Sequence, residues 1–579
     1  MTTFFFVINM DINSMYSCNG QPQSEEYADF IVEFGTVPEE TIGFFNVSCI
    51  QGLGRQFTTL YAPLSEVSEY IADGLYSYYN IPKLYTFDNT LFTVTNSQML
   101  PALEVSGIER VKRQPYLSLT GRNVVIGIVD AGVDIRETSL RYNDGTTRIR
   151  YLWDQSAEGE PPAGFSFGTE FDEIRLNEIL SSGEAIDGIS ANEDITRHGT
   201  LLLKAACGRI DSDDLSETFE GVAPDASIVV VKLKEAKRYL KEHYCISEGT
   251  RAYQENDIMA AVNYIRRTAM DMGMPSVIML SCSTSMGGHT GSLPLDVMSG
   301  IIADTYGTCL LYSTGEEADK RRHFHGNIRT AGMSEAQSVE LRVGTEEDIY
   351  MELWSNSPEV YTVGIVSPSG EIIERVPRQT GHAEYSLVFE TSTVIIENKI
   401  VEGRDNTRIV IIRIKNPSVG IWRINVYGEN IVTGEYDLWL PSNDFISRNT
   451  YFLEPEANTT LVSPAATERA LTIGGFAPLS TGILAESGRG FTRNNRVKPD
   501  VAAPVVNNGI VDTATAIGAG AAALYMEWAV VRRNALSTRT GDVKNFFIVG
   551  ANRDENADYP SETYGYGRLN LYNSFSLYR

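Results

Sequence analysis

Residues 498–532 read KPDVAAPVVNNGIVDTATAIGAGAAALYMEWAVVR. The stretch opens on Lys498-Pro499-Asp500, continues as the small apolar run Val501-Ala502-Ala503-Pro504, and crosses a short loop into a segment rich in Ala and Gly. That segment predicts a long helix over 513–532. Small residues around its whole circumference imply close burial on every side. The stretch therefore reads as the interior of a large domain.

Working outward, short continuous apolar runs stand at 124–129 (VVIGIV), 228–233 (IVVVKL), 277–280 (VIML), 309–312 (CLLY) and 470–473 (ALTI). Parallel strands buried on both faces look like this. A helix is predicted over 257–271, between the second and third runs. Strands alternating with helices indicate an α/β fold with a parallel sheet. Between about 326 and 453 the helical signals vanish. Alternating or apolar runs at 361–367, 384–389, 394–396, 408–415, 422–427 and 436–440 are separated by turn residues such as Pro368-Ser369-Gly370. These predict an all-β jelly roll or sandwich inserted into the α/β domain. Ahead of both lies an α+β unit, with strands predicted at 4–8, 28–34 and 91–94 and a helix at 64–79. The domains are accordingly 1–100, 101–325, 326–453 and 454–579, the second and fourth forming one body.

With 579 residues the chain is too long for one compact core. Asp and Glu total 75 against 48 Lys and Arg, a formal net charge of -27. A surface this acidic repels nucleic acid and anionic lipid, and neither is expected as a partner. The apolar start lacks a basic region before it and meets Asp11, so no signal peptide is expected, and no later segment reads as a membrane span. Cys18, Cys49, Cys207, Cys245, Cys282 and Cys309 show no CxxC spacing and read as buried free thiols. No phosphate loop and no EF-hand loop is present, and no cofactor is expected. The acidic run Asp211-Ser212-Asp213-Asp214 has ligand chemistry for calcium, but a solvated loop explains it as well.

Four motifs carry chemistry. Asp130 ends the first apolar run, where ligand crevices of open α/β sheets lie. His198, in Arg197-His198-Gly199-Thr200, enters a small-residue helix and can present its imidazole to a cleft. Gly287-Gly288 follows the third run in a loop that can offer backbone to an extended peptide or simply turn. The 498–504 run leads to the Ala-rich helix. Taken singly, each has a structural explanation. Their order, Asp, His, Gly-Gly, KPD-x-x-AP and Ala-rich helix, resembles that of the subtilisin superfamily.

The resemblance narrows at 148–162 (RIRYLWDQSAEGEPP), 167–170, 221–232 (GVAPDASIVVVK), 255–258, 487–493 (SGRGFTR) and Tyr564-Gly565-Tyr566-Gly567. There the chain is similar to the Csp proteases of clostridial spores, nearly end to end. That likeness implies a subtilisin-like parallel sheet with helices on both faces, an N-terminal prodomain and an inserted jelly roll. Active members of the family activate a cortex-lytic enzyme during germination. Others are pseudoproteases that take part in germinant signalling.

A Ser-His-Asp mechanism needs a hydroxyl nucleophile, a His to take its proton and an Asp to orient the His. The resemblance places the vestiges of the triad at Asp130 and His198. Counting back from the Ala-Gly pair in the helix, the serine position falls on Asp512, or with one residue of slippage on Val511. Thr513 is one residue away, and a helix turns its side chain about 100° from that position. Asp512 also suits the start of a helix as a cap. The asparagine that donates to the oxyanion in subtilases is replaced by Glu316, in Ser313-Thr314-Gly315-Glu316-Glu317. A carboxylate there opposes the charge that develops in the reaction. The expectation is a catalytically inactive pseudoprotease, similar to the CspA type, whose partners are sibling Csp-family spore proteins, a cortex-lytic enzyme precursor and its own uncleaved prodomain. Two alternatives stand beside it: an active serine-type endopeptidase with an unexpected nucleophile, and a prodomain-like inhibitor or chaperone of a sibling protease. Packaging into the outer layers or cortex of the spore follows from the same resemblance.

Overall fold

A computed structural model describes residues 17–33, 46–54, 56–88, 90, 92–182, 197–212, 218–329, 336–377, 381–401, 407–506 and 510–577. The expected strand at 4–8, Phe34, Leu91, the loop at 507–509, and Asp213 and Asp214 lie outside these residues.

The centre is an eight-stranded sheet in the order Val501–Pro504, Leu471–Phe476, Thr308–Ser313, Ser276–Leu280, Val125–Asp130, Ser227–Lys232, Ile149–Asp154 and Thr169–Asp172. Every pairing is parallel except the last, where Thr169–Asp172 runs antiparallel at the edge. The five apolar runs thus become strands covered on both faces, as their composition demands. On one face lies Glu255–Asp271. On the other lie His198–Cys207 and the Ala-rich helix, Val511–Met526. All sixteen residues of that last helix are buried. Continued to Val531, it is long and apolar enough to cross a membrane, contrary to the sequence reading, yet 83% of that window is buried inside the protein. Its composition answers to the core.

The inserted segment forms two antiparallel sheets, one of six strands from His323–Asn327 to Gly381–Leu387 and one of five from Ile372–Ile373 to Tyr451–Phe452. A single apolar core containing Val339, Leu353, Ile412 and Trp422 lies between them. Among the described residues, the N-terminal unit has three antiparallel strands, Tyr27–Glu33, Phe57–Pro63 and Cys49–Gly52, and the helix Leu64–Ala72. Its core is continuous with residues of the main body, such as Tyr244, and of the insertion, such as Trp354 and Ile409.

Several expectations are corrected. The helix expected over 64–79 stops at Ala72, because Gly74 takes a left-handed φ of +67° and turns the chain. Residues 92–94 join no sheet; Phe92 and Val94 pack into the core of the main body. The helix Asn96–Val105 spans the expected boundary at 100 and packs there too. Cys18 and Cys49 form a disulfide rather than standing free, while Cys207, Cys245, Cys282 and Cys309 are buried thiols.

Candidate functional site: a carboxylate-capped histidine

Asp130 is the last residue of the strand Val125–Asp130, and its carboxylate points to the C-terminal edge of the sheet. One oxygen accepts the Ala131 N–H at 2.8 Å; the other lies 2.8 Å from His198 Nδ1. His198 opens the helix His198–Cys207. The glycine after it is a steric requirement. A Cβ at Gly199 would sit 2.4 Å from the Gly132 carbonyl oxygen and 2.7 Å from Asp130 Cγ. Only a bare backbone lets the helix start so close to the strand end.

The other ring nitrogen, Nε2, lies 3.1 Å from Asp512 Oδ2. Asp512 is the second residue of the helix Val511–Met526, and the residue before that helix is Ile510. It is therefore not the cap the sequence suggested; its carboxylate turns inward to the imidazole. Thr513 is spent elsewhere. Its hydroxyl donates to the Ile510 carbonyl at 2.7 Å and accepts the Val506 N–H at 2.8 Å. The structure brings Asp130, His198 and Asp512 together in one buried row. Burial pulls His198 toward neutrality, but the charge and hydrogen bond of Asp130, then those of Asp512, hold its pKa well above the ordinary value. Burial pushes Asp512 up, against the hydrogen bond and charge of His198.

Glu316 completes the row. Its Oε1 accepts the Val511 N–H at 2.7 Å, the free donor at the start of the Ala-rich helix. Where an oxyanion would need donors, this site presents an acceptor that already occupies one. Burial raises the Glu316 pKa well above the carboxylate range, and a hydrogen bond with Asp88 raises it further.

Phe87 carries no signal in the sequence, being far from the motifs along the chain; Asp88 opens the segment 88–99 that an uncleaved prodomain is expected to lay in or near the cleft. Leu84–Tyr85 pairs antiparallel with Tyr253–Gln254. On the other side, Thr86 and Ser283 exchange both backbone hydrogen bonds, at 3.0 and 2.9 Å. The N-terminal unit thus lays an extended strand across the C-terminal edge of the sheet, wedged between two segments of the body. The Phe87 ring stands 5.6 Å from the His198 ring and Phe92 6.2 Å, closing it off from water. A cavity of about 400 Å³ opens beside Asp88, Glu316 and Asp512, walled by the strand, the body and the insertion.

The Gly-Gly loop is not an open edge. The Gly287 N–H donates to Glu352 of the insertion, and the Gly288 carbonyl accepts from Arg493. Among the described residues no group of three or more His, Cys, Asp or Glu side chains is placed to hold a metal ion. Asp211 is paired with Arg209 at 2.9 Å.

No family model matches the chain, and no curated protein sequence matches it. Solved structures do. The CspB protease of Clostridium perfringens superposes with a TM-score of 0.70 at 24% identity, covering 82% of this chain and 97% of that one. The epidermin leader peptide processing serine protease EpiP of Staphylococcus aureus gives a TM-score of 0.43 at 11% identity, covering 96% and 99%. MycP1 of Mycobacterium smegmatis gives 0.36 at 13%, covering 85% and 89%. The last two superpose too loosely to add weight. The likeness to the first, with the eight-stranded sheet and its flanking helices, shows the fold: this chain has a subtilisin-like α/β fold with additional β-sheets.

Proposed function

We propose that this chain is a pseudoprotease of the Csp group, which regulates spore germination by binding partner proteins or a germinant signal and does not cleave peptides. The observation that carries the reading is Asp512 Oδ2 at 3.1 Å from His198 Nε2. A general base must face the proton of a nucleophile; here it faces a carboxylate, which has none to give when ionised. Glu316 on the Val511 N–H supports the same reading, because a charged acceptor there disfavours an oxyanion. The partners proposed are sibling Csp-family spore proteins and a cortex-lytic enzyme precursor, with the spore as the place of action.

A fluorophosphonate probe tests the chemistry and intact mass tests the processing. The expected results are no labelling and a chain of the full 64.0 kDa. Labelling that is lost on His198→Ala, or a chain starting near residue 90 in protein made without added protease, would overturn the proposal in favour of an active endopeptidase.

A further inference from the structure

We propose that Glu316 and Asp88 form a carboxyl–carboxylate latch, which holds the strand at 84–88 in the cleft while the two share one proton and lets it go when that proton is lost. The inference rests on the reading that this strand stays covalently attached. The strand has few other ties at its end. Thr86 is fixed to Ser283 by two backbone hydrogen bonds, Phe87 packs on His198, and Asp88 then meets Glu316 by its side chain. Glu316 is anchored on the body through the Val511 N–H. One carboxyl group therefore joins the N-terminal unit to the start of the Ala-rich helix.

Two carboxylates in hydrogen-bond contact require a proton between them, since both ionised would repel. The charges around the pair do not remove that need. Behind Glu316 stand Asp512, His198 and Asp130, two carboxyl groups on either side of one imidazole. On its own loop stand Glu317, Asp319 and Lys320, the last two paired with each other. Further along the same segment stand Arg321 and Arg322, and from the insertion come Asp444 and Arg448. Arg321 is bound to the Leu453 carbonyl and Arg322 to that of Pro441, so their donors are turned partly elsewhere. Asp444 accepts from Thr86 on the strand itself. Burial favours the protonated form of Glu316, and hydrogen bonds from Glu316 and Thr90 outweigh burial to keep Asp88 ionised. The proton thus belongs to Glu316, donated to Asp88. Both side chains are only partly buried, at the wall of the cavity, so solvent reaches the proton.

The sign follows. An acid whose folded pKa is raised keeps its proton, and the contact it makes, at low pH, and loses both as pH climbs through the folded value. The strand is then held below the folded value and freed above it, while the rest of the N-terminal unit stays docked.

Hydrogen–deuterium exchange on the full-length chain, at labelling times scaled for intrinsic exchange, reads the Thr86 and Ser283 amides directly. Past the folded value, protection of these amides should fall by up to roughly tenfold per pH unit as pH is raised. Protection of Val125–Asp130 in the same samples should not change, which separates local release from unfolding. Glu316→Gln mimics the protonated acid, since its NH₂ donates to Asp88 while its carbonyl accepts the Val511 N–H. It should keep the amides protected across the range. Asp88→Asn, whose amide donates to an ionised Glu316, should do the same. Equal pH dependence in Glu316→Gln and the parent would overturn the latch, as would unchanged protection in the parent throughout. Intact mass on the same samples reports separately whether the strand is still attached.

Discussion

At the residue scale, the decisive group is His198, an imidazole between two carboxylates. Its raised pKa means that its contribution to stability is complete below its unfolded value of about 6.5 and is lost as pH rises through the folded value. Asp512→Asn removes one of the two charges, so the folded pKa should fall, the contribution should shrink, and its loss should be complete at lower pH. Ring resonances of His198 followed by NMR give both values; an unshifted pKa in the variant would show that Asp512 does not act on the imidazole. A second prediction concerns repair. Asp512→Ser restores a hydroxyl, but Glu316 still occupies the Val511 N–H, so the single variant should show no self-cleavage by intact mass. Adding Glu316→Asn returns a donor of the kind whose loss costs about 10²–10³ in rate in subtilisin, and the double variant is the one expected to cut itself. These four positions were legible because the order of motifs fixes Asp130 and His198, and counting along a regular helix fixes Asp512. Asp88 was legible only as the start of a segment expected in or near the cleft, and Phe87 not at all. Their place depends on the pairing of Thr86 with Ser283, and no local pattern records a backbone bridge across nearly two hundred residues.

At the element scale, the apolar runs and the Ala-rich helix could be read because burial on both faces writes itself into composition. The Gly-Gly loop stayed open between two readings for a related reason: glycine allows either an open edge or a tight fit, and the neighbour that decides lies in another domain. That neighbour is Glu352. Its carboxylate accepts from the hydroxyls of Tyr78 at 2.8 Å and Tyr350 at 2.7 Å, from Trp354 Nε1 at 2.9 Å and from the Gly287 N–H at 2.8 Å. One buried side chain thus ties the N-terminal unit, the insertion and the Gly-Gly loop together. Glu352→Gln turns an NH₂ group toward at least one of these donors. It should cost roughly 1–3 kcal/mol, the penalty for a buried donor left unmatched. Urea unfolding measures the loss, and a midpoint equal to that of the parent would show that the four bonds carry no net stability.

At the scale of the whole molecule, the three parts share one apolar core where they meet, around Tyr244, Trp354 and Ile409. The insertion reaches over the N-terminal unit, where Lys399 Nζ donates to the Gly74 carbonyl at 2.9 Å, and onto the main body, where the Arg413 guanidinium, paired with Glu397, donates to the His243 carbonyl. Limited digestion of intact protein should therefore spare 326–453, with mass spectrometry of the fragments as the readout; early cuts throughout that span would mean that the sandwich opens on its own. The fold class and the inserted sheets were legible from the runs of sequence, but this clamp was not, since each of its members reads alone as an ordinary polar residue. The clamp also bears on how the chain assembles. Lys399 and Gly74 are 325 residues apart. Contacts that distant demand the closure of very long loops, which slows the approach to the native state. The N-terminal unit, synthesised before the insertion, must wait for it before its own docking is complete. Once docked, it is held from two sides, so the barrier to leaving rises along with the barrier to entering. Its persistence is then a matter of rate, set by how slowly the clamp opens, more than of equilibrium free energy.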